Sequence, residues 1–360
     1  EEEVWEALER WSLAGHDRRA ESSALVATVR LGLLDLHYFS RNVRFHSLLE
    51  GEMGDWAEVE VERGGLARPR SPSCLLVSLG GWAGSPSRAV HTYNTAADTW
   101  TTLPLQLPEA WCYMGAVVMG GQVYLCGGHT SSQWASRELW CLQPATGKLR
   151  RLSSMKQSRN FVATTVLGSS LYALGGREGV GSAMRLKTVE VYSRHTNQWT
   201  QIKPMKNGRS DAGAATLGGN IYVVGGYSGQ TGLRSVERYS PSKNRWKEVR
   251  DMSAARAGVA AAVLGGRLYV VGGWDGDINN PTRLATGEVY CPHDNRWSSL
   301  PDMITPRSNF GLLVLAGRLT AVGGYDGQHI TQLVEALDLS LGRWVPLASL
   351  PAPCSGLACV

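Results

Sequence analysis

The sequence predicts an all-β chain, a ring of six four-stranded sheets closed as a six-bladed propeller, and three observations carry that prediction. Glycine is in excess, 42 of 360 residues without a collagen-like period, beside 13 tryptophans. That composition belongs to tight turns between strands that bury aromatic surface. Gly-Gly doublets follow apolar stretches at Gly80, Gly127, Gly175, Gly225, Gly272 and Gly323, at intervals of 47, 48, 50, 47 and 51 residues. A Tyr and a Trp seven residues apart follow four of these doublets: Tyr93 with Trp100, Tyr192 with Trp199, Tyr239 with Trp246, and Tyr290 with Trp297.

Residues 1–50 precede the first repeat and have another texture. Val4, Leu8 and Trp11 fall on one helical stripe, Leu25, Val26 and Val29 on a second, and Asp35 is placed to cap a third helix over Asp35–Leu49. The chain does not begin with Met, and we read it as lacking its natural N-terminal segment.

From residue 51 the units share one order of features, seen between Arg209 and Trp246. An Arg opens a strand of small residues, an apolar strand follows (Ile221 to Val224), and then come the doublet, Glu237, Tyr239 and Trp246. A doublet at a strand end permits positive φ and close backbone approach, which a Cβ would obstruct. The Tyr and Trp ladder reads as buried adhesive between sheets, each ring contributing on the order of 2 to 3 kcal/mol when fully covered. Departures occur where Leu142 and Leu149 replace Tyr and Trp, where Leu337 replaces Tyr, and where Trp111 stands in place of Arg159, Arg209, Arg256 and Arg307. Looser packing is expected in those blades. The tail Cys354–Val360 aligns with the first strand of a unit, whereas only one good strand precedes Gly80, so the tail is expected to complete the first blade and remove an open edge.

A period near 50 residues with these doublets resembles the kelch repeat, over residues 51–360. Residues 1–50, through Glu1–Leu8 and Val29–Leu34, are similar to the C-terminal half of the BACK domain that lies between BTB and kelch regions. The resemblance to BTB-BACK-kelch (kelch-like) proteins implies a non-catalytic adaptor that captures a substrate protein or degron peptide for a cullin-RING ubiquitin ligase. It implies docking of cullin 3 only through BTB and early BACK regions that this chain does not carry. The competing expectation is an actin-binding cytoskeletal scaffold.

Composition and motifs bound the chemistry. The seven cysteines, Cys74, Cys112, Cys126, Cys141, Cys291, Cys354 and Cys359, include no C-x-x-C pair, so reduced, inert thiols are expected. No glycosylation sequon or long apolar run occurs, and residues 1–20 are charged, so a cytoplasmic or nuclear protein without membrane association is expected. A net charge of +5 without dense basic runs argues against nucleic acid. Copper oxidases and sialidases also use propeller folds, but the eight histidines lack metal-ligand spacing and no nucleophile, metalloprotease or phosphate-loop motif is present. No cofactor, metal or catalytic residue is expected. The Arg that recurs once per repeat reads as a structural hydrogen-bonding residue rather than an anion clamp.

The residues expected to meet a partner line one rim. Those after the doublets are Trp82, His129, Arg177, Tyr227, Trp274 and Tyr325, aromatic and Arg side chains of the kind favoured at interface centres. Beyond the repeating Arg position come Cys112, Asn160, Ser210, Ala257, Ser308 and Ser355, followed by Tyr113, Phe161, Asp211, Gly258, Asn309 and Gly356. The resemblance assigns Ser210, Ser308 and Ser355 as hydrogen-bond partners of a peptide. The longest loops, Arg177–Lys187 and Trp274–Thr286, are expected to stand highest and, with Arg185, Lys187 and Arg283, to favour an acidic or phosphorylated partner.

Overall fold

The computed structural model describes residues 75–179 and 184–360. The helical reading of residues 1–50, the stretch 51–74 and the loop tip 180–183 lie outside the described residues. The rest forms six antiparallel sheets. Blade 3, with strands Ala163–Leu167, Ser170–Leu174, Val189–Ser193 and Gln198–Ile202, is typical: a four-stranded meander in sequence order. Blades 2, 4, 5 and 6 repeat it, and the first strands of successive blades touch around a closed ring.

Blade 1 is completed by the chain terminus, as expected. Ala358–Cys359 pairs antiparallel with Leu75–Leu79, and Val77 and Val360 exchange backbone hydrogen bonds at 2.8 and 3.1 Å. Its outer strand differs from the others, since Thr99–Cys112 runs unbroken for 14 residues and pairs at its far end with His129–Thr130. Two register shifts against Ser87–Asn94 absorb the extra length. Leu103, Leu105 and Leu107 alternate into the core and keep the segment extended.

The doublet glycines do what the turn requires. Gly175 holds φ at +62°, and a Cβ there would collide with the Arg209 carbonyl. Its successor Gly176 donates to that same carbonyl at 2.8 Å, a bond from one blade to the next. The equivalent bonds run from Gly81, Gly128, Gly226, Gly273 and Gly324 to residues 111, 159, 256, 307 and 354, so one hydrogen bond crosses every seam.

Aromatic packing follows the expected ladder with one correction. The Tyr rings are buried, and each hydroxyl donates to an Asp or Asn five residues on, as Tyr239 does to Asn244 at 3.0 Å. Of the five tryptophans, all on the outer strands of their blades, only Trp199 and Trp344 are buried, and Trp100, Trp246 and Trp297 stay half-exposed. Their adhesion is partly polar, since every one of the five donates its indole N–H to a carbonyl of the preceding blade at 2.7 to 3.0 Å. The expected loosening of blades 2 and 6 is corrected too: Leu142 and Leu337 fill the Tyr places at 3% and 1% exposure.

The recurring Arg is structural. Arg209, fully buried, donates to the Gly225 carbonyl at 2.7 Å, to the Ser235 carbonyl at 3.1 Å and to Glu237 at 2.7 Å. Glu237 in turn accepts the backbone amides of Lys206 and Asn207. Arg159 with Glu190, Arg256 with Glu288, and Arg307 with Glu335 repeat the arrangement. Such buried charges are tolerable when paired and hydrogen-bonded, and in Arg159 and Arg209 the Nε alone is buried without a partner.

Candidate functional site

The six residues after the doublets form a ring of short backbone bridges with the six residues after the Arg position. Trp82 pairs with Ser355, His129 with Cys112, Arg177 with Asn160, Tyr227 with Ser210, Trp274 with Ala257, and Tyr325 with Ser308. These twelve residues therefore converge on one mouth of the channel, in two tiers. Trp82, His129, Arg177, Trp274 and Tyr325 are half-exposed in the upper tier. Asn160, Ser210, Ser308 and Ser355 are buried at 3% exposure or less, so these side chains form the floor rather than an open contact surface. Tyr227, at 8%, is also largely covered. His129 is half-buried with its Nδ1 3.3 Å from the Trp134 carbonyl, because the second blade's loop folds over it.

The innermost ring is Tyr113, Phe161, Asp211, Gly258, Asn309 and Gly356, and all six adopt left-handed backbone with φ between 51° and 59°. Their amides are linked head to tail: Tyr113 donates to Gly356, Gly356 to Asn309, Asn309 to Gly258, Gly258 to Asp211 and Asp211 to Phe161, at 2.7 to 3.1 Å. Between Tyr113 and Phe161 the chain of bonds is interrupted, and the Phe161 amide donates instead to the Asn160 side chain at 2.9 Å. These six residues and the one following each line a cavity of about 130 Å³. Left-handed backbone suits Gly, Asn and Asp and costs a β-substituted aromatic on the order of 1 kcal/mol or more. Tyr113 and Phe161 bear that cost, and their rings meet 4.4 Å apart, with Tyr113 lying over Gly356 where any Cβ would strike it.

The rim is divided chemically. Around blades 1 to 3 it is aromatic: Trp82 with His129 at 6.4 Å, Phe161 with Trp134 at 6.4 Å, and Arg177 stacked 4.7 Å above Trp134. Around blades 4 to 6, cations alternate with rings. Arg185 lies 5.2 Å from the Tyr227 centroid, Tyr227 5.4 Å from Trp274, and Arg283 between Trp274 at 5.5 Å and Tyr325 at 5.0 Å. Beneath Arg185, its Nε donates to the Ser210 hydroxyl at 2.8 Å, which donates to Asp211 at 2.6 Å. Burial pushes the Asp211 carboxyl up to about 6, against the pull of Ser210, Arg185 and Arg177.

Trp134 was absent from the residues expected on the rim, and no repeat position announces it. Arg185 and Arg283 were read as loop charges, yet each stands four residues before a third strand, at Val189 and Gly287, a shared register readable from the sequence. Burial pushes the thiols of Cys112, Cys126 and Cys354 up to about 12. Among the described residues no group of His, Cys, Asp and Glu is arranged to hold a metal, and no helix is long and apolar enough to cross a membrane.

Comparison with known proteins agrees with this architecture. Residues 72–273 match the KLHDC2/KLHL20/DRC7 Kelch-repeats domain, and residues 255–304 and 306–351 match the Kelch motif. Kelch-like protein 26 of Mus musculus is 35% identical over 254 residues, 69% of this chain and 41% of that protein. Kelch-like protein 33 of Homo sapiens is 30% identical over 55% of this chain and 40% of its own length. Spermatocyte protein spe-26 of Caenorhabditis elegans is 28% identical over 56% of this chain and 33% of its own length. The chain thus spans well under half of each of these relatives. The solved structure of YjhT superposes with a TM-score of 0.61 at 15% identity, covering 78% of this chain and 99% of that one, a likeness of fold alone. With its family model covering more than half of the residues, the chain belongs to the kelch-repeat family.

Proposed function

We propose that the propeller captures a partner protein on the rim centred on Trp82, Arg177, Trp274 and Tyr325, and that it does so as the substrate receptor of a cullin-RING ubiquitin ligase. The observation that carries the first part is the concentration of half-exposed Trp, Tyr and Arg side chains around one channel mouth. Rigid aromatics and stacked guanidinium groups bury large areas at modest entropic cost, which is why they dominate interface energetics. The ligase role rests on the similarity of residues 1–50 to a BACK domain and on the kelch-like relatives. Cullin 3 docking belongs, in this reading, to BTB and early BACK regions outside the chain. The propeller itself performs no chemistry.

The test uses a partner recovered by affinity purification and titrated with purified chain. The paired change Arg177→Ala with Trp274→Ala should weaken binding at least tenfold, about 1.4 kcal/mol, without an appreciable shift in Tm. Retained affinity would move the site to another face.

A further inference from the structure

The outer hairpin of blade 4, strands Val236–Ser240 and Arg245–Val249, gathers positive charge that the fold does not ask for. Arg238 stands directly opposite Lys247, Ser240 opposite Arg245, and Lys243 lies in the turn between the strands. Like charges set opposite each other on neighbouring strands repel and destabilise the sheet. The repeat does not require them. The same four places hold Val191, Ser193, Gln198 and Thr200 in blade 3, and in blade 6 the one cation, Arg343, faces Asp338. Blade 2 sets Lys148 and Arg150 against Gln143 and Cys141. Among the described outer hairpins, only that of blade 4 sets a cation against a cation.

These cations also lack counter-charges. None of Arg238, Lys243, Arg245 and Lys247 forms an ion pair with a described carboxylate. Glu248 projects from the other side of the sheet, in register with Glu237, and is held by Lys206 at 2.7 Å. The four cations and Ser240 line one concavity of about 280 Å³. Arg238 is half-buried there, so its guanidinium is partly ordered before any ligand arrives, while Lys243, Arg245 and Lys247 are exposed. The concavity lies away from the channel mouth. Val224, just ahead of the doublet, pairs with Val236 at the start of the third strand, so Ser240 and the turn stand at the far end of the blade.

We propose that this hairpin is a second binding site, separate from the rim, which takes the phosphate group of a phosphorylated side chain on a partner protein. A phosphate monoester concentrates nearly two negative charges and three acceptor oxygens on one group. Arg238 and Lys247 are set about 5 Å apart at their Cβ atoms, and Arg245 lies about 7 Å along the strand from Lys247, so their donors converge on a group of that size. A row of carboxylates spreads the same charge over a longer span. A membrane surface is the poorer fit, because the exposed large apolar side chains among the described residues, such as Leu339 and Leu341 of blade 6, lie elsewhere.

The arginine Nε–H signals of the full ¹⁵N-labelled chain would be followed by NMR during titration with capped Gly-X-Gly peptides in which X is phosphoserine, serine or glutamate. The Arg238 and Arg245 signals, assigned with Arg238→Gln and Arg245→Gln, should shift saturably with the phosphoserine peptide and not with the serine peptide, and inorganic phosphate should compete. The paired change Arg238→Gln with Lys247→Gln should weaken binding at least tenfold without lowering Tm, since it relieves a repulsion. Arg296→Gln, which removes the cation at the place of Arg245 in blade 5, should leave binding unchanged, as should the Arg177 and Trp274 double variant of the rim. A degenerate phosphoserine peptide library passed over immobilised chain should yield a preferred flanking sequence. A glutamate peptide that binds as tightly, no competition by phosphate, or an equal loss in Arg296→Gln overturns the phosphate site. Retention without flanking preference, or binding to phosphatidylcholine vesicles carrying phosphatidylinositol phosphate that Arg238→Gln abolishes, overturns the protein partner. Each of these outcomes leaves the rim reading untouched.

Discussion

At the scale of single residues, the channel mouth concentrates unusual conformations. Four non-glycine residues, Tyr113, Phe161, Asp211 and Asn309, hold positive φ in equivalent places, and the two aromatics pay for it without the local hydrogen bonding that helps Asn and Asp. Asp211 has a further consequence. Its carboxyl titrates at about 6 in the fold against an ordinary 3.8, because burial disfavours the charged form. A raised acid means the folded chain holds the proton more tightly than the unfolded chain does. The associated stability is therefore present below pH 4 and declines as pH rises through 6. Asp211→Asn is expected to flatten the pH dependence of stability between about pH 4 and 6 and, at pH 7, to be more stable than the parent by on the order of 1 to 3 kcal/mol. Denaturant titrations at a series of pH values check this, and an unchanged slope in the variant would assign the pH dependence elsewhere.

At the scale of the blade, the Arg–Glu pair behaves as a unit that is kept or lost whole. Blades 3 to 6 keep it. Blade 2 replaces Arg with Trp111 and, at the Glu position in its third strand, carries Trp140; blade 1 carries Cys354 and His91 in those places. No blade strands one buried charge without the other. The replacements still serve the backbone: the Trp111 indole donates to the Gly127 carbonyl at 2.7 Å, the bond that Arg159 makes to Gly175, and the Cys354 thiol faces Gly80 O at 3.3 Å. Removing one member should therefore be worse than removing both. Glu237→Leu alone is expected to cost about 3 to 5 kcal/mol, since it leaves Arg209 buried and unpaired. The double change Arg209→Leu with Glu237→Leu should cost at least about 1 kcal/mol less than the sum of the two single changes. Strict additivity in chemical denaturation would show that the pair does not act as a unit. Arg209 and Glu237 were both legible as repeating positions, but 28 residues separate them, and their pairing follows only from the fold, in which Glu237 on the third strand of the blade reaches Arg209, which precedes the first.

At the scale of the whole propeller, closure determines which edges are exposed. The terminal strand Ala358–Cys359 fills the innermost place of blade 1, Ser355 bridges Trp82, and the Cys354 carbonyl accepts the amide of Gly324 across the seam to blade 6. Deleting residues 353–360 removes all three at once and leaves Leu75–Leu79 as an open edge. The truncated chain is expected to lose several kcal/mol of stability or to aggregate, as calorimetry and light scattering would show. A melting curve identical to that of the parent would mean that the terminal strand does not close the ring.

The amino-acid sequence by itself determined the number of blades, their order and the strand that closes the ring, because doublet spacing and the alternation of apolar residues are properties of local chain that each repeat restates. It also placed the rim residues on one mouth, since equivalent positions in a cyclic array must share a face. What it left open is whether each of those side chains points outward or is covered. Ser210 and Ser308 occupy the same repeat position and are equally buried, yet one is bonded to an arginine and a carboxylate while the other is left without a partner. That difference arises between blades, from loops and strands that meet only when the ring closes, so the tertiary structure decided it.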